Sequence, residues 1–139
     1  MPKKITAHEA MPLLARASRG EALTGSEERT AARFALQELA QRHPGRSVEI
    51  RVPFAGAVQI GDGPTHRRGT PPNVVEISAS TLVDLATGRR SWQQAFAAGD
   101  VSASGIRADL SPFLPLFGHE ALSRWVAGAV ASPDGETIV

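Results

Sequence analysis

Residues 73–105 read NVVEISASTLVDLATGRRSWQQAFAAGDVSASG, and the strongest folding signals of the chain fall in this stretch. The β-branched residues between Asn73 and Ile77 predict a strand. Ser78 has a side chain that can cap a helix, and Gly88 is the kind of residue at which such a helix ends. The side chains of this helix expected to face the core are Leu82, Leu85 and Ala86. The stretch therefore opens with a strand and an amphipathic helix.

A second short helix and another strand complete this stretch. Ser91 and Gln94 have the spacing of a capping box, and Gly99 closes the helix that they begin. The alternation from Val101 to Gly105 predicts a short strand. Helical spacing places three side chains of the helix on one face, which we expect to be buried: Trp92, Ala95 and Phe96.

Two helices are predicted before the sheet. Thr6 and Glu9 have capping-box spacing, and the first helix should run to about Arg19. Ser26 is the expected cap of the second helix. That helix should stop before Pro44, because proline disfavours helical geometry at the residue preceding it.

The central part of the chain has the period of strands. Val48, Ile50 and Val52 alternate with polar residues and predict a half-buried strand. Residues 57–60 offer a second short strand, and a hairpin is the simplest arrangement of the two. Residues 65–72 are polar and fit either a loop or a poor edge strand.

The remainder of the chain predicts a turn and a last helix. Pro112 and Pro115 break an apolar run into a turn or short helix. The last helix is expected from Glu120 to Val130, before a tail with a Pro-Asp-Gly turn. The element order predicts an α+β fold with a small, mostly antiparallel sheet. We expect one domain over residues 1–139, with N-terminal helices in 1–45, the sheet and short helices in 47–105, and the C-terminal helix and tail in 106–139.

The composition is that of a globular protein and excludes several classes. Of 139 residues, 42% are hydrophobic and 21% charged, and no stretch has the apolar length of a membrane-spanning helix. The N-terminal residues do not form a secretory signal, so we expect a cytoplasmic protein. Because the chain has no cysteine, a disulfide framework and a thiolate nucleophile are excluded. The net charge of +1 argues against nucleic-acid binding.

Signals of catalysis are weak. The histidines, His8, His43, His66 and His119, lie far apart, and none has a partner at metal-ligand or catalytic spacing. The chain has no nucleophile elbow, phosphate-binding loop or dinucleotide fingerprint. We therefore expect a protein that is not an enzyme and that has no cofactor and no metal site.

The stretch 73–105 resembles the signature half of the sterol carrier protein family. The resemblance lies in Thr87-Gly88-Arg89 at the end of one short helix, Ala95-Phe96 in the next, and the glycines at 99 and 105. With Arg68-Gly69-Thr70-Pro71-Pro72 before it, the stretch is similar to a bacterial, mainly actinobacterial, subgroup of sterol carrier orthologs. The resemblance implies a curved sheet covered on one face by helices, with an apolar tunnel that accepts acyl chains, sterols or other lipids. The chain departs from the family in its two helices before the first strand and in the short, proline-rich, basic segment 61–72.

Two sets of side chains are candidates for a ligand site. The apolar cavity candidates are Leu82, Leu85, Trp92, Phe96, Val101, Phe113, Leu116, Phe117, Leu122 and Trp125. The candidates for an anionic head group are His66, Arg67, Arg68 and Arg89, because paired guanidinium groups near a pocket mouth can hold a carboxylate or phosphate. Each set also has a simpler explanation, which is core packing for the first and a solvated basic edge for the second.

These observations favour an intracellular lipid-binding or lipid-transfer module. Its partner would be a lipid or another apolar small molecule, with no nucleic acid, at most transient membrane contact, and a homodimer as an option. The alternative is a structural or interaction protein with a collapsed tunnel, in which the helix 120–130 docks a partner or a second copy. An accessory role beside thiol-cofactor enzymes comes last, since the chain has no cysteine.

Overall fold

The computed structural model describes residues 3–63, 73–125, 130–131 and 137–138. The α-helices within them are α1 (Ala7–Ser18), α2 (Gly25–Arg42), α3 (Ala79–Thr87), α4 (Trp92–Ala97) and α5 (His119–Ser123). The strands are β1 (Val48–Val52), β2 (Gly56–Ile60), β3 (Asn73–Ile77), β4 (Val101–Ser104), β5 (Val130–Ala131) and β6 (Thr137–Ile138). A 3₁₀ turn at Ser111–Phe113 occupies the position where a turn or short helix is predicted.

The main sheet has the strand order β2-β1-β3-β4. β1 and β2 form the predicted antiparallel hairpin, and β3 and β4 also pair antiparallel. β3 lies parallel to β1, with Ile50 beside Val75. The predicted α+β class is confirmed, and the sheet is mixed because β3 returns to the free side of β1 rather than continuing the hairpin.

Helices cover one face of this sheet. The alternation along β1 and β3 buries Ile50 and Val75 completely, whereas Arg51 and Glu76 on the other face are exposed. The buried strand residues belong to one hydrophobic cluster with residues of α1, α2 and α3. The largest fully buried helix side chains in this cluster are Leu14, Leu39, Leu82 and Leu85. A single core therefore lies between the sheet and the helices in the described part of the chain.

The caps of the helices follow local side-chain chemistry. The predicted capping box of α1, between Thr6 and Glu9, is present. The prediction of Ser26 as the cap of α2 is wrong, since Thr24 Oγ1 accepts a hydrogen bond from the Glu27 amide at 3.1 Å. Glu27 in turn accepts one from the Thr24 amide at 2.9 Å, and only a residue three positions earlier can form this reciprocal pair. Helix α2 therefore begins one residue before Ser26, at Gly25.

The side chain of Phe96 does not lie in the core. Its predicted burial is wrong, because it is 55% exposed, whereas Trp92 and Ala95 of the same helix are buried. Helix α4 has only six residues and packs beside β4, so it turns two of the three predicted positions inward. The Phe96 ring remains near the surface, 6.4 Å from the Trp92 ring.

The C-terminal region differs from the predicted long helix. α5 ends at Ser123, and Val130 pairs with Ile138 in a two-stranded sheet, so the prediction of a helix to Val130 is wrong. Backbone pairing with a segment later in the chain takes the place of the helix here, and local periodicity cannot reveal such a partner. Leu122 is buried and the Trp125 ring meets the His8 ring of α1 at 6.0 Å, so the apolar face of α5 packs against its own chain.

Some sequence predictions fall outside the described residues. The question of a loop or an edge strand at 65–72 is one of them, and so is the Pro-Asp-Gly turn of the tail. Among the helices that the structure does describe, none combines the length and the apolar character needed to span a bilayer.

Candidate ligand-binding cleft

An open cleft of about 560 Å³ lies at the end of the sheet where β1 begins. The end of α2, the start of β1, the end of β2 and the segment after β4 form its walls. Its apolar side chains include Val48, Ile106, Pro112 and Phe113. The cleft thus opens at one end of the layer in which the resemblance places a tunnel.

A second cleft, of about 450 Å³, adjoins the first. The two clefts share Ile106 and Asp109, and the second adds Trp92, Phe96 and Ala103 to the lining. We call the two clefts together the ligand trough. Each has a volume in the range of small-molecule pockets, which is about 300–1,000 Å³.

Large apolar side chains at the trough remain in contact with solvent. Ile106 is 98% exposed and Phe96 55% exposed, and they represent two of the three large hydrophobic residues found exposed in the described chain. Phe113 packs against the His43 ring, with 4.6 Å between ring centroids. Apolar groups grouped around a concavity indicate a binding surface more strongly than single exposed side chains do.

One buried amide fixes the polar end of the trough. Asn73 is 3% exposed, and its Nδ2 donates a hydrogen bond to the Ser47 carbonyl at 2.8 Å. Its Oδ1 accepts one from the backbone amide of Arg107 at 2.9 Å. Asn73 therefore ties the start of β1 to the segment that follows β4, and it holds both walls of the first cleft in register.

Ser47 and Arg107 have hydrogen-bonding capacity to spare at this end. The Ser47 hydroxyl is buried and has no hydrogen-bond partner among the described residues. The Arg107 guanidinium makes one long contact, 3.4 Å from Nη1 to the Asp62 carbonyl, and no ion pair with a described residue. A Cβ placed on Gly63 would lie 2.7 Å from Arg107 Nη1 and 3.0 Å from Ser47 Oγ, so the two groups converge on one place. A hydroxyl and a guanidinium together can bind an anionic oxygen.

The apolar candidates predicted from the sequence divide between the trough and the core. Trp92, Phe96 and Phe113 line the trough. Trp125 lies beside α1, against His8. The remaining candidates are core residues no more than 8% exposed: Leu82, Leu85, Val101, Leu116, Phe117 and Leu122. The structure thus brings three of the ten together around one surface.

Of the four predicted head-group residues, the structure describes only Arg89. Arg89 donates from Nη1 to the Ala17 carbonyl at 3.0 Å, so it ties the end of α1 to α3, away from the trough. His66, Arg67 and Arg68 lie outside the described residues. Of the two arginines that line the trough, Arg42 is hydrogen-bonded within the protein, so the guanidinium with capacity to spare among the described residues is that of Arg107, which was not among the predicted residues. Its only sequence signal is its position after an apolar residue in the turn that follows β4.

Other polar side chains at the trough form hydrogen bonds within the protein. Asp109 accepts a hydrogen bond from the Ser111 amide at 2.9 Å, which shapes the following 3₁₀ turn. Arg42 donates hydrogen bonds to the Leu116 carbonyl and to Glu38, so its guanidinium is already paired within the wall of the cleft. In the part of the chain that the structure describes, no three His, Cys, Asp or Glu side chains are arranged to hold a metal ion.

The fold and the trough define a class of protein: an α+β domain with helices on one face of a small sheet and an amphipathic trough at one end. The model of the family described as Bacterial SCP ortholog matches residues 25–116, more than half of the 139-residue chain. The chain therefore belongs to this bacterial sterol carrier protein family, as the motifs in 73–105 predict. The matched residues run from the start of α2 through all four strands of the main sheet. A comparison with curated proteins finds no match.

Proposed function

We propose that this protein is an intracellular carrier of an amphipathic lipid, which it binds in the ligand trough and releases unchanged. The hydrocarbon chain would lie against Trp92, Phe96, Ile106 and Phe113. The observation that carries the proposal is the convergence of two groups at the edge of an apolar trough: the Ser47 hydroxyl, which has no hydrogen-bond partner among the described residues, and the Arg107 guanidinium. Membership of the sterol carrier family supports an apolar ligand.

Hydrocarbon burial would supply most of the affinity. Each methylene group removed from water contributes about 0.8 kcal/mol, so a chain with six buried methylenes gains about 5 kcal/mol before the costs of ordering it. Covering the exposed surface of Ile106 and Phe96 adds to this gain. The trough is open along one side, which favours release as well as uptake.

The polar end would select the head group. A carboxylate or phosphate oxygen bound to Arg107 would form a charge-assisted hydrogen bond, and the Ser47 hydroxyl would gain the partner that it lacks among the described residues. A neutral sterol hydroxyl would use this end less well, because it cannot match the guanidinium charge. We therefore propose an anionic, single-chain lipid as the preferred class.

The proposal includes no chemical step. Ester or thioester cleavage would need an activated nucleophile with an oriented base. The Ser47 hydroxyl has no such base among its described neighbours, and the His43 ring lies against Phe113. We expect stoichiometric binding, and no turnover of acyl esters or thioesters by the wild type or by His66→Ala. Multiple turnovers that His66→Ala abolishes would contradict the carrier proposal.

A displacement titration with a fluorescent fatty acid tests the site. Ile106→Asp should weaken binding by about tenfold or more, because it places a carboxylate in the apolar part of the trough. Arg107→Gln should weaken binding of the acid while sparing a methyl ester of the same chain. Phe54→Asp is the matched control, since Phe54 is 94% exposed at the other end of β1. Equal affinities of all four proteins would contradict the proposed site.

Mass spectrometry of an organic extract of the purified protein complements the titration. We expect an anionic lipid to be retained by the wild type and to be depleted in Ile106→Asp. Absence of any lipid from the extract, together with no binding in the titration, would favour the alternative of an interaction protein.

A further inference from the structure

The turn between β1 and β2 exposes a large aromatic ring. Phe54 is 94% exposed, and its backbone has a φ of 67°. It is the one residue other than glycine with a positive φ in the described chain. A bulky side chain in this region of backbone space is strained, and residues held in such conformations concentrate at functional sites. Neither packing nor turn geometry accounts for a phenylalanine at this position, because glycine or asparagine would fit the turn better.

Basic side chains stand beside this turn. A groove of about 630 Å³ lies between α2 and β2, and Lys3, Lys4 and Arg33 line it together with Ala55 at the turn. None of the described residues that line the groove is acidic. The pKa of Glu9 is lowered, chiefly by its hydrogen bonds with Thr6 and also by the charge of Lys3, so this carboxylate partly offsets one of the three cations. A positive excess remains next to the exposed ring.

We propose that the turn carrying Phe54, together with Lys3, Lys4 and Arg33, is a contact site for the surface of an anionic lipid bilayer. The Phe54 ring would enter the interfacial region, and the three cations would lie among the anionic head groups. Proteins that bind at the interface combine buried apolar area with electrostatic attraction in this way. The charge pattern favours a bilayer over a second copy of the chain, which would bring the same positive groups together.

This contact site is separate from the ligand trough. β1 runs from Val48, which lines the trough, to Val52, which leads into the turn, so the two sites lie at opposite ends of one strand. A five-residue strand spans roughly 17 Å. A chain held at a bilayer by this turn would keep its trough open to the aqueous phase. The inference therefore goes beyond the proposed carrier function and does not depend on it.

Vesicle co-sedimentation tests the contact site. The full chain is mixed with vesicles of phosphatidylcholine alone, or of phosphatidylcholine and phosphatidylglycerol in equal parts. We expect binding to the anionic vesicles that weakens as salt is added. Phe54→Gly should reduce the partition coefficient about tenfold, with an unchanged or higher melting temperature because glycine relieves the strained φ. Lys3→Gln with Lys4→Gln should reduce it by up to about 25-fold, at about fivefold for each cation.

Two matched variants serve as controls. Ile106→Gly removes an equally exposed apolar side chain at the trough, and Arg46→Gln removes an exposed cation next to the start of β1. Both should bind anionic vesicles within about twofold of the wild type, about the effect of one distant charge. If Ile106→Gly lowers fatty-acid affinity while Phe54→Gly does not, the two sites are independent.

Three results would overturn the contact site. The first is wild-type binding that is no stronger to anionic than to neutral vesicles. The second is a Phe54→Gly variant that partitions like the wild type. The third is a wild-type protein that binds no vesicles but self-associates in gel filtration, with the self-association abolished in Phe54→Gly. That result would assign the turn to a second copy of the chain.

Discussion

Replacing Asn73 by leucine should destabilise the fold and disorder the trough at the same time. The substitution nearly preserves side-chain volume but removes the donor to the Ser47 carbonyl, at 2.8 Å, and the acceptor for the Arg107 amide, at 2.9 Å. A buried group left without its partner costs about 1–3 kcal/mol. The Ser47 group is fully buried and the Arg107 group partly so, hence we expect a loss of about 2–4 kcal/mol. In a domain of this size the melting temperature should fall by roughly 10 °C.

The assay for Asn73→Leu is thermal and urea unfolding followed by circular dichroism. Gln59→Leu is the matched control, because it also replaces a strand amide by leucine but breaks only the exposed hydrogen bond from Arg46. We expect Gln59→Leu to change the free energy of unfolding by no more than about 0.5 kcal/mol. Equal stabilities of the two variants would refute the structural role assigned to the Asn73 side chain. Fatty-acid binding by Asn73→Leu under conditions where it is folded should also be weaker than that of the control.

Three further predictions concern the helices. Thr24→Ala should cost about 1 kcal/mol of unfolding free energy, and Ser26→Ala almost nothing, in urea titrations; the reverse order would restore Ser26 as the cap. Leu82→Ala should lower the free energy of unfolding by about 2–5 kcal/mol. Phe96→Ala should lower it by less than half as much, because Phe96 is 55% exposed. Equal losses would contradict the surface position of Phe96. The pKa of Glu27 is lowered, first by a hydrogen bond from Arg16 of α1 and then by a hydrogen bond from the backbone amide of Thr24. Its contribution to stability is therefore complete above the ordinary glutamate pKa of about 4.3 and is lost as pH falls through the lowered value. Glu27→Gln should flatten the melting temperature against pH in that window, and an unchanged profile would contradict the assignment.

Local patterns in the sequence predict most of the main sheet and its helices. The alternation at Val48, Ile50 and Val52 corresponds to the buried face of β1, and the capping boxes at Thr6 and Ser91 begin α1 and α4. These signals succeed because each depends on residues within one turn or one strand. The prediction of Ser26 as the cap of α2 fails because Thr24, two residues earlier, has a glutamate at the third position after it, as a capping box requires.

Predictions that depend on packing partners succeed less often. Helical spacing placed Phe96 inside, but burial also depends on what α4 packs against, and only Trp92 and Ala95 of the three predicted positions are buried there. The periodicity up to Val130 predicts a helix, whereas the backbone of Val130 pairs with that of Ile138. In both cases the deciding contact comes from another segment of the chain.

The polar end of the trough could not be derived from local patterns. Ser47, Asn73 and Arg107 are separated by 26 and 34 residues, and the pairing of β3 with both β1 and β4 brings them together. Each residue alone has an ordinary explanation as a loop or strand-end residue. Family resemblance predicted an apolar ligand but not which cation would meet its head group.

An NMR titration with a medium-chain fatty acid tests the carrier proposal most directly. Backbone amide shifts of uniformly labelled protein report where the ligand binds in solution, residue by residue. We expect saturable shifts at Ser47, Ile106 and Arg107, with Phe96 and Phe113 also affected and Phe54 unchanged. Shifts confined to other surfaces, or no saturable shift at fatty-acid concentrations below micelle formation, would contradict the assignment of the trough as the ligand site.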